Sequence, residues 1–152
     1  MVNSQLKVEK EEVYMPQAGD SYVVQLKRAH LEWGSHRHKF SRPGVIYGEG
    51  YIKIPATFAY DYDIYNNNNP YCANTYYDCT SYDGHYSGVL LAQGNQKDRI
   101  YAKQFSEFDN LKAIGHWYYQ VGADVGDYVK VVFTSPSDVV IEHSVTRNGF
   151  HI

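Results

Sequence analysis

The sequence has few cysteines and lacks a long run of apolar residues. Both features restrict the classes of protein to which it can belong. Its 152 residues include only Cys72 and Cys79, which are too few for a disulfide framework. Six residues separate the two, so they lack the close pairing of zinc-binding cysteines, and we expect two ordinary thiols in a reducing compartment. No apolar stretch approaches the roughly 18 residues that a membrane-spanning helix needs.

An export signal is also missing. Residues 1–6 contain no apolar core followed by a small-residue cleavage site, and the chain has no Asn-x-Ser/Thr acceptor, so we expect a cytoplasmic protein. The length and the hydrophobic content of 43% are typical of one globular domain. The mixed charges and weak periodicity of residues 1–20 predict a loosely ordered arm, and residues 21–152 then form the single domain.

Short segments rich in β-branched and aromatic residues, separated by Gly, Pro and Asp turns, predict a mainly β fold. The predicted strands cover residues 22–26, 50–55, 76–80, 86–93, 99–105, 128–133 and 139–142. Two short helices are predicted, one over residues 56–65 after a proline and one over residues 111–121 before a glycine. The sequence therefore predicts a small open β-barrel with two short helices, in which Trp33 and Trp117 pack in the core.

Positive charge is concentrated in one short stretch of an otherwise acidic chain. Residues 27–42 hold five cations and one anion, which gives +4, whereas the rest of the chain carries −7. The densest part is residues 36–39, His-Arg-His-Lys, followed by Arg42. Most short basic runs are solvated loop charges that bind nothing. The strong concentration of positive charge in this one stretch is, however, also typical of a site that binds an anionic partner.

The segments around this basic run carry a family resemblance. Residues 31–34, Leu-Glu-Trp-Gly, precede it, and residues 48–55, Gly-Glu-Gly-Tyr-Ile-Lys-Ile-Pro, follow it. The second predicted helix leads into residues 121–129, Val-Gly-Ala-Asp-Val-Gly-Asp-Tyr-Val. In order and spacing, these segments resemble the DNA-binding pseudobarrel of plant B-three transcription factors and of the recognition domains of EcoRII-like and NgoFVII-like restriction endonucleases.

The resemblance implies two arms that enter the major groove of duplex DNA: an N-arm at residues 35–44 and a C-arm at residues 93–103. Arginine can pair with guanine, and asparagine or glutamine with adenine, whereas lysine and serine can hold phosphates. The predicted base-contacting residues are Arg37, Arg42, Asn95, Gln96 and Arg99. The predicted backbone or supporting contacts are Ser35, His36, His38, Lys39, Gln93, Lys97 and Lys103.

The same resemblance implies a non-catalytic recognition module of a restriction or defence system. No residue set in the chain matches a nuclease signature or a Ser/His/Asp site, so any nuclease activity is expected on another domain or partner. We expect no cofactor and no membrane contact.

Two other functions stay open on the sequence alone. The tyrosine-rich residues 60–86, with the asparagines of residues 66–69, would suit a carbohydrate-binding β-module. If residues 36–38 form a strand, His36 and His38 lie on the same face, which would suit a metal-dependent β-barrel enzyme. The neighbouring residues are cationic, however, and no carboxylate ligand is nearby. The net charge of −3 also disfavours a DNA partner, because such binding depends on neutralising phosphates.

Overall fold

The computed structural model describes residues 15–32, 49–67, 76–97 and 100–152. The strands in these ranges are β1 (Ser21–Gln25), β2 (Ile52–Lys53), β3 (Tyr76–Ser81), β4 (Ser87–Gln93), β5 (Gln104–Glu107), β6 (Tyr128–Ser135) and β7 (Asp138–Ser144). The helices are α1 (Arg28–Leu31), α2 (Ala56–Asp61) and α3 (Ala113–Gln120). The predicted mainly β fold is confirmed, and α1 is an additional helix that the sequence did not predict.

All seven strands belong to one sheet, in the order β1-β6-β7-β3-β4-β5-β2. Neighbouring strands are antiparallel except for β3 and β7, which run parallel. The sheet curves into a nearly closed barrel whose two edges are β1 and β2. This arrangement confirms the predicted small open barrel, and we call the opening between β1 and β2 the seam.

One face of each strand fills the barrel, which explains the alternation of the sequence. In β3, for example, Tyr77 and Cys79 are buried whereas their neighbours Tyr76 and Asp78 are exposed. Helix α3 adds Trp117, which is fully buried and whose Nε1 donates to the Asp83 carboxylate at 3.1 Å. The core position predicted for Trp117 is therefore confirmed, while Trp33 lies outside the described residues.

Strand β5 begins at Gln104, about five residues later than the sequence pattern predicts. The preceding residues make main-chain hydrogen bonds to several separate segments instead of one neighbouring strand. The Ala102 amide donates to the Ile64 carbonyl, and the Lys103 carbonyl accepts from the Ile54 amide, at 2.8 and 2.9 Å respectively. These partners are distant in sequence, so the alternating pattern of residues 99–105 could not reveal them.

Gly50 occupies a place where the main chain of two segments comes very close. A Cβ atom at this position would lie 3.0 Å from the Cα of Gly115 in α3 and 3.2 Å from the His30 carbonyl oxygen. A larger residue would therefore push the chain away from α3. The glycine lets the segment that enters β2 pack against both helices, α1 and α3.

The first residues that the structure describes extend the pairing of β1 with β6. The Gly19 amide donates to the Phe133 carbonyl, and the Phe133 amide donates to the Asp20 carbonyl, both at 2.8 Å. Residues 1–14 of the predicted N-terminal arm lie outside the described residues. Within the described ranges no helix is long and apolar enough to cross a bilayer.

Cys79 is a buried thiol inside the barrel. Burial raises its pKa well above the usual range, and the Glu107 carboxylate acts in the same direction. A protonated, inaccessible thiol is a poor nucleophile and a poor metal ligand. Cys79 is therefore the ordinary thiol that the sequence predicts, and Cys72 lies outside the described residues.

Two buried tyrosines in the barrel differ in how their hydroxyl groups are satisfied. The Tyr118 hydroxyl donates to the Tyr51 carbonyl at 2.8 Å, whereas the Tyr22 hydroxyl has no hydrogen-bond partner among the described residues. A buried polar group without a partner costs about 1–3 kcal/mol, and a satisfied one contributes about 1 kcal/mol. The two hydroxyl groups should therefore affect stability in opposite directions.

We predict that Tyr22→Phe raises the free energy of unfolding by about 1 kcal/mol and that Tyr118→Phe lowers it by about the same amount. Urea denaturation followed by circular dichroism measures both values. Equal destabilisation by the two variants would show that the Tyr22 hydroxyl is satisfied in solution.

Candidate nucleic-acid interface

A pocket of about 370 Å³ lies at the seam, and we call it the seam pocket. Residues from both sheet edges, from α1, from the start of α2 and from the β4–β5 connection line it. They are Val24, Gln25, Lys27, His30, Lys53, Pro55, Ala56, Gln96 and Lys103. The pocket therefore brings together segments that are up to about 80 residues apart in the sequence.

The seam pocket is positively charged. Lys27, Lys53 and Lys103 contribute three ammonium groups, and no carboxylate is among the lining residues. Lysines on edge strands often serve to prevent pairing with another chain, but this explanation covers Lys53 alone. Lys27 follows β1 and Lys103 precedes β5, so their convergence with Lys53 creates a concave surface suited to an anion.

His30 lines the same pocket as a neutral group. Its Nδ1 accepts a hydrogen bond from the Lys27 amide at 3.1 Å, and this bond caps the start of α1. Burial lowers the pKa of His30 to about 4, and the charges of Lys53 and Lys27 act in the same direction. Near neutral pH the imidazole is therefore uncharged and fixed in one orientation between two lysines.

The segment that carries the predicted N-arm joins the described fold beside the seam pocket at both ends. The Tyr51 amide donates to the His30 carbonyl at 3.1 Å, so the chain before and after residues 33–48 is held together. Arg28 and Glu32 form an ion pair of 2.6 Å at one of these ends. The N-arm predictions Ser35, His36, Arg37, His38, Lys39 and Arg42 lie outside the described residues.

The predicted C-arm is fixed from within by side-chain amides. Gln96 Nε2 donates to the main-chain carbonyls of Ile54 and Ala102 at 3.0 and 3.1 Å. The side-chain oxygen Oδ1 of Asn95 accepts from Asn66 Nδ2 at 2.7 Å. A two-bond contact of Gln96 with adenine needs one of its N–H donors as well as its oxygen, and both donors are already used here. Sequence reasoning identified Gln96 by its residue type and missed this structural role, because both carbonyls come from other segments.

The remaining C-arm predictions lie close to this framework. Gln93 ends β4 and donates to the Ser106 hydroxyl, while Lys97 and Lys103 have exposed side chains. Gly94 has a φ of +74° and lies next to the Lys103 side chain, which makes a glycine favourable at this turn. Arg99 lies outside the described residues.

Two lysines of the seam pocket were not among the predicted site residues. Lys27 belongs to the basic stretch of residues 27–42, but it precedes the predicted N-arm. Lys53 is the charged residue between two isoleucines in the predicted strand of residues 50–55, and its charge was the available signal. Their convergence depends on the closure of the barrel, which sequence spacing does not reveal.

The tyrosine-rich segment does not form one exposed face in the described parts of the chain. Tyr65, Tyr77 and Tyr86 are buried, and so is Asn66. These residues are therefore not available to a sugar, which weakens the carbohydrate-binding alternative. His36 and His38, the basis of the metal alternative, lie outside the described residues, among which no three acidic, histidine or cysteine side chains are grouped to hold a metal ion.

A second polar concavity, of about 520 Å³, lies between the β3–β4 turn and the start of α3. Its lining mixes charges, because Glu107 is present with Lys112, His85 and His116. Glu107 already accepts a hydrogen bond from the Tyr86 hydroxyl at 2.7 Å. The concavity therefore lacks the uniform positive charge of the seam pocket.

No protein-family model matches the chain, and no curated protein matches its sequence. Among solved structures, a hypothetical Arabidopsis thaliana protein aligns with a TM-score of 0.46 and 10% identity, over 88% of this chain and 98% of that chain. The N-terminal domain of Helicobacter pylori LlaJI.R1 aligns with a TM-score of 0.47 and 7% identity, over 86% and 91%. An Arabidopsis FUS3–DNA complex aligns with a TM-score of 0.44 and 15% identity, over 81% and 94%. Likenesses at this level do not identify what this chain binds.

The pKa of His30 predicts a pH dependence of stability. An unfolded histidine binds a proton near pH 6.5, whereas His30 in the folded protein resists protonation down to about pH 4. The unfolded state therefore binds more protons between these values, and stability should fall as the pH falls from about 6.5 to 4, by on the order of 3 kcal/mol.

The variant His30→Asn tests this prediction, because an Asn Oδ1 can still accept from the Lys27 amide but does not titrate. Unfolding free energies measured at several pH values should decline less steeply for the variant over this interval. Parallel declines in the two proteins would contradict the assignment to His30.

Proposed function

We propose that this chain is a non-catalytic domain that binds duplex DNA in a sequence-dependent manner, through two arms beside a positively charged seam. The proposal is supported by the position of the described residues that flank the N-arm segment, which lie at the seam pocket together with two residues of the C-arm. The bond between Tyr51 and His30 joins the two ends of the N-arm segment there, and Gln96 and Lys103 of the C-arm line the same pocket.

The local charge supports this proposal despite the net charge of −3. Electrostatic interactions between exposed groups are largely screened beyond about 8 Å at physiological ionic strength, so distant carboxylates have little effect on a phosphate at the seam. Three lysines without a carboxylate among the lining residues make this surface favourable for a polyanion. The overall acidity acts mainly against non-specific binding elsewhere on the protein.

In the proposed complex, the contacts with DNA are of two chemical kinds. Lysines at the seam and on the C-arm would neutralise backbone phosphates, and the arginines of both arms would contact base edges in the major groove. Ser35, His36, His38 and Lys39 would support the N-arm. The lysines proposed to contact phosphates are Lys27, Lys53, Lys97 and Lys103. The arginines proposed to contact bases are Arg37, Arg42 and Arg99.

The resemblance to recognition domains of restriction endonucleases extends the proposal to a biological setting. The domain would select a DNA site for a nuclease that lies on another domain or partner, in a restriction or defence system. Selection of bound duplexes from a random pool tests the proposal as a whole. A pool without enrichment for any sequence would contradict sequence-dependent recognition.

We predict that Lys27→Gln, Lys53→Gln and Lys103→Gln each weaken binding to all duplexes by a similar factor. The four lysines proposed to contact phosphates imply a slope of log K against log salt of roughly −4 for the parent protein, and each lost contact should make this slope less steep by about 0.9. A salt titration monitored by fluorescence anisotropy measures these slopes.

Lys112→Gln is the matched control, because Lys112 is an exposed lysine of the second concavity, away from the seam pocket. Its slope should equal that of the parent protein. If the seam variants behave like this control, the seam does not contact phosphates.

We further predict that Arg37→Ala and Arg42→Ala each lose about 1 to 3 kcal/mol of binding free energy on the selected site. Binding to unrelated duplexes should change much less, because base contacts determine specificity. Competition binding with selected and scrambled duplexes measures the difference. Unchanged affinity of both variants for the selected site would remove the N-arm from the proposal.

A further inference from the structure

His30 lines the seam pocket and has a second ring nitrogen besides the one that caps α1. The residue has a relative exposure of 4%, and its Nδ1 accepts the bond from the Lys27 amide. The proton of the neutral ring is therefore on Nε2. Within the described residues no hydrogen bond involves this N–H, and His30 lines the seam pocket, so the N–H is a candidate donor to a ligand there.

The surroundings of this donor select the kind of acceptor that it can take. Lys27 and Lys53 lie close enough to lower the pKa of the ring, so a cationic ligand would be repelled and an anion attracted. Lys103 lines the pocket from the C-arm side. An anion at this point would receive one neutral N–H and be flanked by three ammonium groups from different segments.

The arrangement suits a phosphate group better than a carboxylate. A carboxylate presents two oxygens in one plane, whereas a phosphate presents its negative charge on oxygens that point in several directions. The donors of the seam pocket come from four positions: the end of β1, α1, β2 and the β4–β5 connection. A pocket of about 370 Å³ also has room for a phosphate together with part of the group attached to it.

We propose that the seam pocket contains a discrete phosphate subsite, in which His30 Nε2–H donates to a phosphate oxygen and Lys27, Lys53 and Lys103 neutralise its charge. This inference deepens the proposed function where the phosphate belongs to a bound DNA strand. The same chemistry would also hold the phosphate of a free mononucleotide. His30 thus binds the ligand directly, whereas its other nitrogen keeps α1 in place.

The direct test is a titration of the protein with inorganic phosphate, observed at the His30 side chain by ¹⁵N NMR. Phosphate should shift the Nε2 resonance saturably, and sodium chloride at the same ionic strength should not. An equal response to chloride would show a general salt effect and overturn the subsite.

Two variants separate binding from folding. His30→Asn keeps an acceptor for the Lys27 amide but lacks the Nε2–H, so it should fold and lose phosphate affinity by about tenfold or more. Lys53→Gln removes one charge and should also weaken binding, whereas Lys112→Gln should leave it unchanged. In the variants, backbone amide shifts around the pocket report the affinity. Unaltered phosphate affinity of His30→Asn would overturn the role of His30.

A competition experiment then distinguishes the two sources of phosphate. If a duplex displaces inorganic phosphate, the subsite holds a backbone phosphate of the strand; if a mononucleotide displaces it and the duplex does not, the subsite serves a free ligand. Either displacement supports the subsite. Failure of the duplex selection, with phosphate still bound at His30, would reject the proposed function and leave the subsite standing.

Discussion

The seven strands bring the sheet close to closure, but β1 and β2 remain as its two edges on either side of a seam. Main-chain groups near such an opening need other hydrogen-bond partners. Side chains supply some of them, because Gln96 donates to the Ile54 and Ala102 carbonyls, and His30 accepts from the Lys27 amide. Since polar side chains satisfy these main-chain groups, the sheet edges need not close on each other, and a pocket remains between them.

Lys27, Lys53 and Lys103 give the lining of the seam pocket a positive charge. A protonated imidazole at His30 would be repelled by Lys27 and Lys53. Burial is the main cause of the lowered pKa of His30, the two lysine charges add to it, and the ring therefore stays neutral near neutral pH. No lining residue carries the compensating negative charge. The lining would therefore attract an anion and repel a cation, and this electrostatic preference is the physical basis for the anion site proposed at the seam.

Sequence patterns predicted the half-buried strands β3, β6 and β7 well, because one apolar face alternates with one polar face. They did not predict α1, whose four residues depend on a histidine as the capping group. The late start of β5 depends on hydrogen bonds to Ile54 and Ile64, which are distant in sequence. The seam lysines were missed for the same reason, since their convergence appears when the barrel is formed.

The side-chain amides of the C-arm make internal hydrogen bonds that bear on its proposed role in DNA binding. If Gln96 paired with an adenine, it would exchange two internal hydrogen bonds for two new ones, and each such bond contributes about 0.5–1.5 kcal/mol net. The gain would be small, and the seam would lose its link between Ile54 and Ala102. An arginine carries five donors in a planar fork that can pair with guanine, so in the proposed function sequence discrimination would fall mainly on the arginines of the two arms. Gln96 would then hold the described part of the C-arm against the seam pocket instead of contacting a base.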